Sequence, residues 1–143
     1  MRLLTAGRIL LAALFTWAAC DKLLHPGEFA SAVANYRLLP LWAVGPVANA
    51  LPAVEAACGL LLLLGLAVPG ASLVTSGLLT AFAAAIYQAI HRGLDIECGC
   101  FSAAAERVGY PVLIRDLVIL ALSLAVLLGS LAAARAKNRK LIL

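Results

Sequence analysis

Charge is scarce in this sequence: only 13% of its 143 residues are Asp, Glu, Lys or Arg, and it has two histidines. A soluble domain carries about 25% charged residues. With 64% hydrophobic residues and a mean hydropathy of +1.04, too little polar surface remains to clothe a water-soluble fold. Its surface must therefore meet lipid. Aromatics are also few, at 6%, and no basic stripe interleaves with them, so the net charge of +4 does not point to nucleic acid. A helical span takes about 20 apolar residues. The length thus suits one transmembrane domain over residues 1–143.

Four apolar runs are present, and they predict spans at about 3–24, 42–66, 68–90 and 112–134. In lipid an open strand edge leaves backbone groups unpaired, so the fold class is all-α, an integral membrane four-helix bundle. Gly65 suits a helix end and Pro69 a first helical turn, which makes the second and third spans a tight hairpin. The other connections, Asp21 to Leu41 and His91 to Pro111, are long and polar and share one side. Arg2 and Arg8 flank the first span, and Arg135, Lys137, Arg139 and Lys140 follow the last. The N and C termini are accordingly expected in the cytoplasm and the two long loops outside, in a bacterial inner (cytoplasmic) membrane. Trp17, Tyr36, Trp42, Tyr87 and Tyr110 are read as interfacial anchors at the outer boundary.

Small residues recur every fourth position at Ala12, Thr16 and Cys20 and at Gly77, Ala81, Ala85 and Ala89, a pattern that lets membrane helices approach closely. Arg2, the first apolar run and Ala18-Ala19-Cys20-Asp21 also have the outline of a bacterial signal peptide. Trp17 stands where such cleavage sites prefer a small aliphatic residue, so the first span is expected to be retained.

Four cysteines carry the chemistry: Cys20, Cys58, Cys98 and Cys100. Cys98-Gly99-Cys100 lies in the second outer loop. Two thiols separated by one glycine can close a small, strained disulfide, and strain makes a bridge exchangeable. In the oxidising periplasm that pair is a redox centre, a static loop staple or, with further ligands, a metal site. Gly99 supplies the backbone freedom and is expected to leave both sulfurs accessible. The nearby acids Asp95, Glu97 and Glu106 disfavour a thiolate, so Arg92, Arg107 or Arg115 must compensate. Cys20 sits near the outer end of the first span and Cys58 inside the second. Their depths differ by roughly 12 Å at about 1.5 Å per residue, beyond the Cα separation of about 7 Å that a disulfide tolerates. No bridge between them is expected.

Glu55 falls near the middle of the second span, where an isolated carboxylate is costly, so it is expected to be neutral and directed into the bundle, or paired there. Asp21 and Lys22 close the first span, and Arg115 and Asp116 open the fourth at similar depth. The preferred pairing is Asp21 with Arg115, with independent snorkelling into the headgroups as the alternative.

Taken in order, these residues resemble a known family. Cys20-Asp21-Lys22-Leu23, His25-Pro26, Asn35-Tyr36-Arg37-Leu38-Leu39-Pro40, Leu51-Pro52-Ala53-Val54-Glu55, Glu97-Cys98-Gly99-Cys100-Phe101 and Ile114-Arg115-Asp116 make the chain similar to the MauE branch of the DoxX-like membrane proteins. Ser102 departs from a glycine common after the cysteine motif, and Cys20 from a small residue. The resemblance implies a redox-associated inner-membrane protein that supports disulfide formation in methylamine dehydrogenase maturation beside a thioredoxin-like partner. In outline only, the architecture is also similar to the four-helix thiol oxidoreductases that pass electrons to a quinone.

The leading expectation is a membrane thiol–disulfide oxidoreductase. Cys98 and Cys100 exchange electrons with a periplasmic thioredoxin-like protein or thiol client, while Glu55, Asp21, Lys22, Arg115 and Cys20 play supporting roles. Onward electrons pass to a quinone near Glu55 or through the lone cysteines. The alternatives are a Cu(I) or Hg(II) carrier, with the pair as soft ligands, and a structural subunit.

Overall fold

The computed structural model describes residues 2–99 and 106–142, apart from the side chains of 137 and 140–142. Among the described residues the chain forms helices α1 (Arg2–Leu24), α2 (Pro26–Asn35), α3 (Leu41–Leu64), α4 (Val68–His91) and α5 (Tyr110–Ile142). Four of them are long and apolar enough to cross a membrane: α1, α3, α4 and the Tyr110–Ala136 part of α5. Strand structure is limited there to one bridge, Glu97 with Arg107. The all-helical architecture with four spans is the expected one. Large apolar side chains such as Leu60, Leu63, Leu73, Val118 and Leu128 point outward, as lipid contact requires.

Two elements differ from expectation. The last helix runs beyond 134 through its basic tail, because alanine, arginine and lysine are good helix formers whether or not lipid surrounds them. The first long connection is not irregular: it holds α2. Pro26 presets the first turn, Glu28 favours the positive helix start, and Phe29 and Ala32 bury one face.

Neighbouring helices run antiparallel, with α1 packed on α3 and α4 on α5, and with a much thinner contact between α3 and α4. A Cβ on Gly59 would lie 2.6 Å from Thr16 Oγ1, so the backbones of α1 and α3 touch there. That bears out the small stripe of α1 at Thr16, whereas Cys20 turns outward. In α4 only the Ala89 end of the expected stripe is buried: Gly77 and Ala81 are exposed and Ala85 is half-buried, while Ser72, Thr75, Leu79, Ala83 and Ile86 form the main contact face. Hydroxyls decide that face, since Ser123 Oγ of α5 lies 2.8 Å from Thr75 Oγ1 and 2.9 Å from Ser76 Oγ. Around this cluster Leu11, Phe15, Leu62, Leu79, Ile119 and Val126 form the core.

Gly65 ends α3 at φ 72°, a left-handed conformation that glycine adopts at least cost, and Pro69 lies in the first turn of α4. Continuing the register set by Thr16 and Gly59, Leu24 comes level with Leu51. At about 1.5 Å per residue, α1 therefore stops roughly 15 Å short of the start of α3. The resulting notch, at the end of the bundle that carries both long connections, is covered by α2.

Candidate functional site

The notch brings buried charge to the middle of the bundle. Lys22 Nζ donates to both carboxylate oxygens of Glu55 at 2.7 Å, with the two residues only 3% and 1% exposed. The same ammonium lies 5.2 Å from the Phe29 ring centroid and 5.5 Å from that of Phe82, so one lysine ties α1 to α2, α3 and α4. Because α1 stops short, Lys22 is not at the outer boundary. Snorkelling would take it away from Glu55, and pairing within the bundle wins. Glu55 does face inward as expected, though in an ion pair rather than alone.

The expected Asp21–Arg115 pair does not form. Asp21 Oδ1 stands 3.7 Å from His25 Nδ1, one turn further along the chain. Arg115 reaches Glu106 instead, beside it at the loop end, and Arg107 pairs with Asp95. Two of the acids that crowd the cysteine loop are thus matched by arginines. Asp116 is 2% exposed, and its Oδ2 has no hydrogen-bond partner among the described residues.

Cys98 is disulfide-bonded, while Cys20 is an exposed and Cys58 a buried free thiol, in keeping with the absence of a bridge between them. Cys100 lies outside the described residues. Contrary to the expected accessibility, Cys98 is only 5% exposed. It packs with Ile86 of α4 and Val112 of α5, and α2 closes over it. Gly99 has φ 65°, and a Cβ there would meet the Cβ of Ala32 at 2.7 Å, so both the backbone angle and the contact with α2 demand glycine. A short antiparallel ladder clamps the base of the loop: the Cys98 N–H donates to the Glu106 carbonyl and the Val108 N–H to the Ile96 carbonyl, each at 2.8 Å.

Tyr36 and Trp17 are the two expected outer-boundary anchors that sequence reasoning placed wrongly. Trp42, Tyr87 and Tyr110 do project outward at this end, and Trp17 is exposed deeper in the bundle. Tyr36 instead turns in and donates its hydroxyl to the Cys98 carbonyl at 3.1 Å. Burial, helped by the Asp116 carboxylate, pushes that hydroxyl to about 12, so it remains a donor at physiological pH. Arg92 Nη1 holds the Tyr36 carbonyl at 3.2 Å. The sequence signal was the Tyr36-Arg37 step just before Pro40, which reads equally well as an interfacial anchor.

Beneath α2 a cavity of about 240 Å3 separates α3 from α4, with Cys98 and Gly99 in its wall. Its lining is almost wholly apolar.

A four-span bundle with a clamped, disulfide-bonded cysteine at one end defines a polytopic membrane protein. The family model described as "Methylamine utilisation protein MauE" matches residues 1–129, and the chain belongs to that family. It is 44% identical over 129 residues to the methylamine utilization protein MauE of Paracoccus denitrificans, covering 88% of this chain and 69% of that one. It is 37% identical over 112 residues to that of Methylophilus methylotrophus, covering 76% and 59% respectively. With that of Paracoccus versutus the identity is 38% over 119 residues, covering 82% and 64%. The chain therefore spans only part of these relatives' length. No solved structure matches it. Family and spans together make it a multi-pass protein of the bacterial inner membrane.

Proposed function

We propose that this protein carries out thiol–disulfide exchange at the periplasmic face of the membrane, with Cys98 and Cys100 as the exchanging pair and both termini in the cytoplasm. The observation that carries this reading is selective oxidation: Cys98 is in a disulfide while Cys20 and Cys58 are free. The relatives' link to methylamine utilisation supports clients from that process, with a thioredoxin-like protein or another periplasmic dithiol as the partner in this reading.

Burial of Cys98 sets the direction of attack. A partner thiolate attacks Cys100 Sγ; a Cys100–partner disulfide forms as the Cys98–Cys100 bond breaks, and Cys98 leaves as a thiolate that takes up a proton. The second partner thiol, once deprotonated, attacks the mixed disulfide and releases Cys100. The partner is then oxidised and the loop holds two thiols. Arg107 and Arg115, by pairing Asp95 and Glu106, lower the electrostatic cost of these thiolates. An oxidised Cys98 favours this reading over a soft-metal carrier, which needs both thiols reduced.

The test is trapping in membranes. Cys98→Ser, which retains the attacked sulfur, should accumulate a dithiothreitol-sensitive adduct with a periplasmic protein, and Cys100→Ser should yield far less. If neither variant forms an adduct, exchange is ruled out. After reduction, a membrane-impermeant thiol reagent should label the loop from the periplasmic side; labelling only from the cytoplasm would reverse the topology.

A further inference from the structure

Each client oxidised leaves the loop with two thiols, so the cycle closes only if two electrons and two protons depart. The cavity beneath α2 shares its wall with Cys98 and Gly99, and it reaches down to Leu51 of α3 and to Ala81 and Phe82 of α4. Those residues lie nine to ten positions from the loop ends of their helices, about 15 Å into a hydrocarbon core of about 30 Å. No single side chain of a water-soluble partner docked on the loop reaches that depth. A molecule dissolved in the bilayer does, because α3 and α4 make only a thin contact with each other.

The lining restricts the ligand further. The Lys22 ammonium beside the lining rings Phe29 and Phe82 is already held by Glu55, and the lining residues themselves are uncharged, so the space offers rings and aliphatic surface rather than charge. At about 240 Å3 it is smaller than the roughly 300–1,000 Å3 of pockets for drug-sized ligands, and it fits one substituted ring. A ring-sized, bilayer-soluble acceptor of two electrons and two protons is a quinone.

We propose that this cavity, and not the surroundings of Glu55, seats the ring of a membrane quinone that reoxidises the loop; the inference rests on the exchange reading above. The Cys98 and Cys100 S–H bonds break, one S–S bond forms, and the two electrons and two protons reduce the quinone to its quinol.

The experiment uses the full chain in lipid nanodiscs with an azido-ubiquinone as photoprobe and decylubiquinone as competitor. Label should concentrate in the peptides carrying Phe29 and Phe82, and decylubiquinone should displace it. Ala85→Phe, which fills the cavity, should cut the labelling about tenfold; if that variant does not fold, Ala81→Leu is read instead. Labelling should persist in a Cys98→Ser/Cys100→Ser double variant, which cannot exchange thiols, so the cavity is tested even if the exchange reading fails. With the native cysteines reduced, decylubiquinone should yield one quinol per disulfide formed. Label spread over all lipid-facing helices, label unaffected by filling the cavity, or no quinol from a chain that exchanges thiols normally would each overturn the proposal.

Discussion

The two halves of this bundle are held together by different means. Toward the termini, a close backbone contact at Gly59 joins α1 to α3 and the Thr75, Ser76 and Ser123 hydroxyls join α4 to α5, with Leu11, Phe15 and Leu62 filling the remaining space. Toward the loops, α1 stops short and the gap is bridged by one buried ion pair, one tyrosine and a short helix. The first half spreads its cohesion over many weak, replaceable contacts. The second concentrates it in a few groups, each without a substitute, and leaves a cavity beside the disulfide. A half held by packing alone has no need of buried charge.

Breaking the ion pair should therefore produce the largest effect. Glu55→Gln leaves the Lys22 ammonium without its counterion and should cost about 3–5 kcal/mol, read as a large fall in detergent melting temperature. Lys22→Met combined with Glu55→Met should recover most of it, because both charges are gone. If the single and double variants lose equal stability, the pair is not what joins the halves.

Next comes the loop seat. Gly99→Ala forces a left-handed angle and a clash with Ala32, costing at least about 1–2 kcal/mol locally. It should release the loop from α2 and raise alkylation of Cys98 after reduction; unchanged protection would mean that α2 does not cover the cysteine.

The distributed half should yield less. Ser123→Ala removes the shared partner of Thr75 and Ser76, and membrane hydrogen bonds average about 0.6 kcal/mol, so the loss should be about 1 kcal/mol. A loss rivalling that of Glu55→Gln would erase the contrast between the halves.

The smallest effect is spectroscopic. Tyr36 should contribute a tyrosinate absorbance step near 12 that disappears in Tyr36→Phe. Its folded-state value is raised, so its contribution to stability is intact below about pH 10, the value for a free tyrosine, and is lost as the pH rises toward 12.

Particular residues explain how much of this was legible in the sequence. The spans follow from apolar length, the α3–α4 hairpin from Gly65 and Pro69, and the inward Glu55 from the cost of a carboxylate in lipid. Gly99 announced its own backbone angle. Lys22 with Glu55 was not legible, since the pairing depends on how far α1 falls short of α3, a relative depth that neither run encodes alone. α2 was missed because its ten residues bury only Phe29 and Ala32, too few for a helical period to stand out. The burial of Cys98 follows from α2 and was hidden with it. The hydroxyl face of α4 was masked by a more regular stripe of small residues on the opposite side.

The central claim is that the loop disulfide is an exchanging one, and its equilibrium with a graded thiol buffer tests that most directly. In nanodiscs, the fraction of the Cys98–Cys100 pair that is oxidised should change over a potential range above about −300 mV, where catalytic bridges lie, with Cys20 and Cys58 remaining reduced throughout. A bridge that stays closed well below about −300 mV, as structural disulfides do, would contradict the account.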